Sequence, residues 1–167
     1  MALTTRLSLS LLAALTNALD LSTPDDTLNY LKNIELATGT SANQADMLWH
    51  DRRTLTASAT EDLDFAGSLT NALGATQTFA RLKALVVYAA TGNTNNVNVT
   101  RPASNGVPLF LAAGDGIAVR PGGLFLAVAP DATAYAVTGS TGDLLTFTNS
   151  AGSTSVTYDV IVIGASA

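Results

Sequence analysis

Apolar and polar positions alternate with a period of two along much of this chain, and Gly, Asn, Asp and Pro interrupt the alternation at short intervals. Successive side chains on a strand point to opposite faces, so period two marks a strand with one buried face. The pattern predicts strands near residues 54–60, 61–65, 79–89, 95–101, 107–112, 116–120, 124–129, 134–138, 144–148 and 155–164. Between them stand turn formers such as Gly92-Asn93, Ser104-Asn105-Gly106, Gly114-Asp115, Pro121-Gly122-Gly123 and Pro130-Asp131. Gly and Asn accept positive φ, and Pro presets φ for the first corner of a turn. Strands at intervals of about 8–12 residues predict an all-β fold, an antiparallel β-sandwich or barrel, and not a βαβ fold. Eight strands over residues 54–167 would suit a single jelly roll. Residues 84–88 and 160–163 are nearly continuous apolar runs, which predicts a central strand at each.

The regular train begins near Thr54, which divides the chain into an N-terminal arm or docking segment, 1–53, and a sandwich domain, 54–167. Signals in the arm are mixed. Leu7, Leu9 and Leu11 alternate with Arg6, Ser8 and Ser10, as in a half-buried strand, while Leu11, Leu12, Leu15 and Leu19 sit at helical spacing. Thr23, Pro24, Asp25 and Asp26 have the order of an N-cap, an N1 proline and a first acidic turn. They predict a short helix with Leu28, Leu31 and Ile34 on one side. The arm is therefore expected to mix strand and helix. Residues 1–22 loosely imitate a secretory leader, one Arg before a short apolar run. The following TNALD lacks a small-x-small cleavage site, so a structural element is expected there.

Composition narrows the function. Charged residues make up 13% of the chain, about half the ~25% of an average soluble protein. Surface so poor in charge suits either a well-buried sandwich or contacts with other chains. No apolar run reaches the ~18 residues of a membrane span. The formal net charge of −5 argues against nucleic acid, whose phosphates need a basic patch. The chain has no Cys, which removes disulfides, thiolate metal sites and Cys nucleophiles.

Candidate chemistry is sparse, and we expect no catalytic residue, metal ligand or cofactor. His50 is the single histidine, and a strand would point it away from its neighbour Asp51. Glu61, Asp62 and Asp64 are the densest acidic cluster. Asp62 and Asp64 would share a strand face, close enough to clamp a hard cation or to act as a carboxylate pair in a glycosidase, but charges guarding a strand edge explain them as well. Gly114-Asp115-Gly116 and Arg120-Pro121-Gly122-Gly123 lack the Gly-Lys-Ser/Thr of a phosphate loop. Partner docking is the better prospect. Leu7, Leu9 and Leu11 could form an added strand. Met47 and Trp49 are residue types favoured as interface anchors, although the same residues could staple the arm to the sandwich. Arg52 and Arg53 form a local basic pair suited to an intersubunit bridge.

Several segments together resemble small virion structural proteins of tailed bacteriophages. They are Asn43-Gln44-Ala45-Asp46, Trp49, Arg53-Thr54-Leu55, residues 57–64, Phe79-Ala80-Arg81-Leu82-Lys83-Ala84-Leu85, Val119-Arg120-Pro121-Gly122-Gly123, Ala129-Pro130-Asp131-Ala132-Thr133, and residues 156–164. The resemblance runs over roughly the whole chain and carries no catalytic signature. It implies a capsid decoration, or cement, protein on the virion surface, made in the cytoplasm of a bacterial host. Its partners would be the major capsid protein or other virion proteins, with a homodimer or homotrimer as its own state and no nucleic acid or membrane. A competing expectation is a tail-associated, lectin-like receptor-binding module using loops such as 92–96 or 104–106.

A central strand at 160–163 makes a direct prediction. Removal of residues 160–167 is expected to abolish folding. A soluble truncated chain with a cooperative thermal transition would refute it.

Overall fold

The computed structural model describes residues 2–167, and all regular structure in them is β. Two antiparallel sheets form the body. The smaller contains β5 (Thr60–Asp64), β9 (Val97–Thr100), β10 (Gly116–Val119) and β13 (Leu144–Asn149), in the order β10-β9-β13-β5. The larger contains β4 (Met47–Leu55), β8 (Arg81–Ala89), β11 (Leu124–Val128) and β14 (Val156–Ala165), in the order β11-β8-β14-β4, with the short β12 (Tyr135–Ala136) also on β8. A small hairpin, β6 (Ala66–Thr70) and β7 (Thr76–Thr78), closes one end. The apolar runs at 84–88 and 160–163 do form the two central strands, β8 and β14.

The inward residues of both sheets make one core. Leu85 and Val87 of β8 and Tyr158, Val160 and Val162 of β14 pack with Leu63, Val97, Val99, Leu145 and Phe147 of the smaller sheet. The Phe147 and Tyr158 rings stack across the interior with centroids 5.0 Å apart. The Tyr158 hydroxyl reaches the rim and donates to Glu61 at 2.7 Å. Glu61 also accepts from Arg53 Nε at 2.7 Å, and Arg53 donates to Asp51 at 2.9 Å. Burial, then the hydrogen bond to Glu61, pushes the Tyr158 phenol up, and the hydrogen bond to Glu61 raises the Arg53 guanidinium. Thus Arg53 ties β4 to β5 across the open edges of the two sheets. Every buried side-chain nitrogen and oxygen among the described residues has a hydrogen-bond partner.

One irregularity in the larger sheet sets where the N-terminal arm is attached. Ile163 pairs with Ala84 but Gly164 pairs with Leu82, so Lys83 is the extra residue of a β-bulge. The backbones close up there: a Cβ on Gly164 would strike the Arg81 carbonyl oxygen and the Phe79 ring. The bulge sends the fully buried Lys83 side chain to the carbonyl oxygens of Ser41 and Asp131. Desolvation lowers its pKa, offset in part by the nearby Asp131 charge. The Asp131 carboxylate caps its own loop by accepting from Thr133 N at 2.8 Å and Ala134 N at 2.9 Å, which holds its pKa below the usual carboxylate range. Lys83 thereby clamps the 39–43 turn to the body.

That turn carries an arm. β1 (Thr5–Thr16) and β2 (Asp25–Thr38) form a long antiparallel ribbon, and β3 (Gln44–Ala45) adds in parallel to the root of β2. Here the structure corrects three expectations, the first being a strand at 54–60, where β4 ends at Leu55 and the chain turns into β5 at Thr60. No helix occurs among the described residues: the stretch expected to be a capped helix after Thr23 is strand β2, and the leucines at helical spacing from Leu11 to Leu19 continue strand β1 into its turn. The capping signal is local, whereas β2 is held by twelve residue pairs with β1 in unbroken register. The predicted strand at 107–112 is also absent. Arg101 donates to the carbonyl oxygens of Phe110 and Leu111 at 3.0 and 3.1 Å, and Phe110 stacks on Phe125, so the segment is held as irregular turns. The segment 47–53 belongs to β4 and is paired along its length with β14.

The rim contact can be isolated. Tyr158→Phe keeps the ring stack and removes only the hydrogen bond to the Glu61 carboxylate. A bond to a charged acceptor is worth about 1.5–3 kcal/mol when buried, so a loss of about 1–2 kcal/mol is expected at this partly buried site. Denaturant titration should show an earlier midpoint with an unchanged slope.

Candidate functional site

The arm is the feature that the needs of folding do not explain. In an antiparallel ribbon, directly paired residues share a face. The register therefore puts Leu7 with Ile34, Leu9 with Lys32, Leu11 with Tyr30, Ala13 with Leu28 and Leu15 with Asp26 on one face. Arg6 with Glu35, Ser8 with Asn33, Ser10 with Leu31, Leu12 with Asn29 and Ala14 with Thr27 occupy the other. The first face is apolar apart from Lys32 and Asp26. The second is mostly polar, with a loose Arg6–Glu35 ion pair of 3.9 Å. The ribbon is thus amphipathic, and its sequence specifies which face is which.

Only the root of the apolar face is covered. Leu3, Leu7, Ile34 and Leu36 pack on Ala45, Ala84, Ile163 and Val128, a small core on the outer side of the larger sheet. Thr38 Oγ1 adds a 2.6 Å hydrogen bond to the Leu3 carbonyl oxygen. Beyond the root the leucines face solvent. Leu9 and Leu11 are half exposed, Leu15 is 73% exposed, and Leu21 in the tip loop is fully exposed. Fully burying a leucine contributes about 1.5–3 kcal/mol, so covering each half-exposed one would contribute about 1 kcal/mol. A two-stranded ribbon alone is marginally stable in water, and apolar patches of this extent mark interaction surfaces.

The uncovered surface continues onto the body. On the outer face of the larger sheet, cross-strand pairing lines up Leu124, Tyr88, Asp159 and Arg52 in one row, and Leu126, Val86, Ile161 and His50 in the next. The third row, Val128, Ala84, Ile163 and Leu48, is the one on which the arm's root rests. Leu124, Leu126 and Ile161 are exposed. Arg52 and Asp159 close one corner with a bidentate pair at 2.6 and 2.9 Å, which holds the Asp159 carboxyl below its usual range. A pocket of about 370 Å³ lies at the foot of the arm, lined by Leu3, Met47, Leu48, His50 and Leu73 among others.

The residues singled out for docking separate accordingly. Leu9 and Leu11 lie on the exposed apolar face, and Leu7 anchors the same face to the body. Met47 is half-buried and lines the pocket. Trp49 is 3% exposed, packed in the main core with Nε1 donating to the Thr70 carbonyl oxygen at 3.1 Å, so it serves the body's interior. Arg52 is exposed beside the apolar rows, and Arg53 is taken up by Glu61 and Asp51. Sequence reasoning missed Tyr30 and Leu28 as members of the arm's face. Reading β2 as a helix grouped Leu28 with Leu31, which the strand places on opposite faces.

The acidic cluster is divided. Glu61 serves Tyr158 and Arg53, Asp62 accepts from Thr146 Oγ1 at 2.5 Å, and Asp64 accepts from Ala66 N at 2.8 Å, all on the edge strand β5. Among the described residues no group of three or more His, Cys, Asp or Glu side chains could hold a metal ion. Among them, too, no helix is long and apolar enough to cross a membrane. Comparison with known protein families, with curated protein sequences and with solved structures found no match.

The arm's independence from the body is testable. Replacing residues 9–32 with Asn-Gly joins Ser8 to Asn33 through a two-residue hairpin turn and keeps the root contacts. The shortened chain is expected to unfold within a few degrees of the full chain and to bind less hydrophobic dye. A large drop in its thermal midpoint would show that the distal arm supports the body.

Proposed function

We propose that this chain is a non-enzymatic virion structural protein that decorates and stabilises a phage capsid through contacts with other virion subunits, copies of itself included. The observation that carries this reading is the amphipathic arm, a ribbon with an apolar face that its own body leaves uncovered beyond the root. Such a face contributes nothing to the isolated molecule and several kcal/mol to an assembly. Edge and face contacts of this kind need little charge, in keeping with a chain in which 13% of residues are charged.

The strand order supports a jelly-roll reading of the body. Among the eight strands in the ordered paths of the two body sheets, the first pairs with the last (β4 with β14) and the second with the next to last (β5 with β13). β8 and β9 lie next to those pairs, and β11 and β10 form the far edges. This is the alternation produced by two successive Greek keys, an architecture used by viral capsid domains and by lectins. The arm favours the first use. A lectin presents polar loops to a sugar, whereas the arm here exposes Leu9, Leu11, Leu15, Leu21 and Leu28.

The resemblance to tailed-phage virion proteins supplies the particle, and the particle supplies the test. Capsids assembled without this protein are expected to lose infectivity or release DNA at lower temperature, or under milder osmotic shock, than capsids that carry it. Adding back the full chain should restore resistance, and the chain shortened at residues 9–32 should not. Particles of unchanged resistance, or density for the chain on the tail in electron micrographs, would overturn the proposal.

A further inference from the structure

We propose that the exposed outer face of the larger sheet is the seat for the arm of a second copy of this chain, so that copies exchange arms. The seat consists of Leu124, Tyr88 and Leu126 with Val86, Ile161 and His50. The inference names the self-association within the capsid reading, but it depends only on this chain.

Continuity is the first argument. The third row of this sheet face already holds the root of the chain's own arm, with Leu7 and Ile34 against Ala84, Ile163 and Val128. The same ribbon face therefore packs on the same sheet face within one molecule. The two uncovered rows continue that surface with Leu126, Val86 and Ile161 and then Leu124 and Tyr88, bounded on the β4 side by His50 and the Arg52–Asp159 pair, and the uncovered part of the arm continues the ribbon with Leu9, Leu11, Tyr30, Leu28 and Leu15 beside Lys32 and Asp26. Each copy thus exposes both halves of one contact.

The chain's own arm does not occupy the seat: Leu9, Leu11, Leu15 and Leu28 beyond the root are left exposed, and so are Leu124, Leu126 and Ile161 on the sheet. Area gives the third argument. A reciprocal exchange doubles the contact of one arm on one sheet face, toward the ~1,600 Å² of a standard specific interface. Reciprocity also suits closed symmetry, in which every arm finds a seat and none is left to recruit further copies without limit.

The absence of Cys from the chain allows a direct experiment on the full-length protein. One preparation carries Leu11→Cys in the arm and another carries Ile161→Cys in the sheet. Leu124→Cys serves as a second sheet position because that side chain is 63% exposed. The two preparations are mixed, exchanged, and oxidised under conditions that leave their thermal transitions unchanged. A disulfide linking an arm variant to a sheet variant is the expected product, at several times the yield of either like-with-like product. Sedimentation of the unmodified chain should give at least twice the 17.1 kDa of one copy. Leu11→Arg should weaken association by on the order of a hundredfold, because it buries an unpaired charge. A monomeric unmodified chain would overturn the proposal. So would predominant arm-to-arm linkage, or an intramolecular disulfide as the main product when both cysteines are on one dilute chain. None of these measurements uses a capsid, so the exchange can fail while the virion reading stands, and the reverse.

Discussion

The larger sheet carries apolar side chains on both faces, and the interior of a sandwich can cover only one of them. The rest of the molecule is arranged around that surplus. Inward, Leu85, Val87, Val160 and Val162 meet the smaller sheet. Outward, Ala84 and Ile163 receive the root of the arm, and the rows beyond stay open. A sheet with a soluble outer face would alternate apolar with polar residues along β8 and β14. The near-continuous runs at 84–88 and 160–163 are what a doubly covered sheet requires.

The bulge at Lys83 makes the arm's placement definite. Without the extra residue, Leu82 would be turned away from the core side it now shares with Leu85 and Val87. With it, the core continues to the end of β8, and a cation is aimed at the carbonyl oxygens of Ser41 and Asp131. Those two loops flank the point where the chain leaves β2 and enters β4. A backbone adjustment in the central strand pair therefore fixes where a ribbon outside the sandwich is rooted.

The sequence's legibility tracks the range of the interactions involved. β5, β8, β10, β11, β13 and β14 lie close to where alternation and turn residues place them, because pleating and turn chemistry act over a few residues. The alternation of Leu7, Leu9 and Leu11 is likewise legible as a strand, though not its exposure. The stretch from Asp25 onward is not. Thr23, Pro24, Asp25 and Asp26 carry every local sign of a helix start, and only pairing with Leu7–Leu15 across the turn overrides them. The same distance effect leaves Trp49 open between an interface anchor and a residue packed on the sandwich, until β14, more than a hundred residues later, draws β4 into the sheet and Trp49 into the core. Nothing local marks Lys83 for burial, because the bulge that buries it needs a partner strand to exist.

The unbroken register of the arm also makes it a ruler. β1 and β2 hold twelve pairs, and an antiparallel strand rises about 3.4 Å per residue, so the ribbon spans roughly 40 Å. An insertion of one residue in each strand between root and tip would turn every leucine beyond it onto the opposite face, whereas two residues, about 7 Å, would keep them in line with the root. The reach of the apolar face is graded by the pleat of a strand.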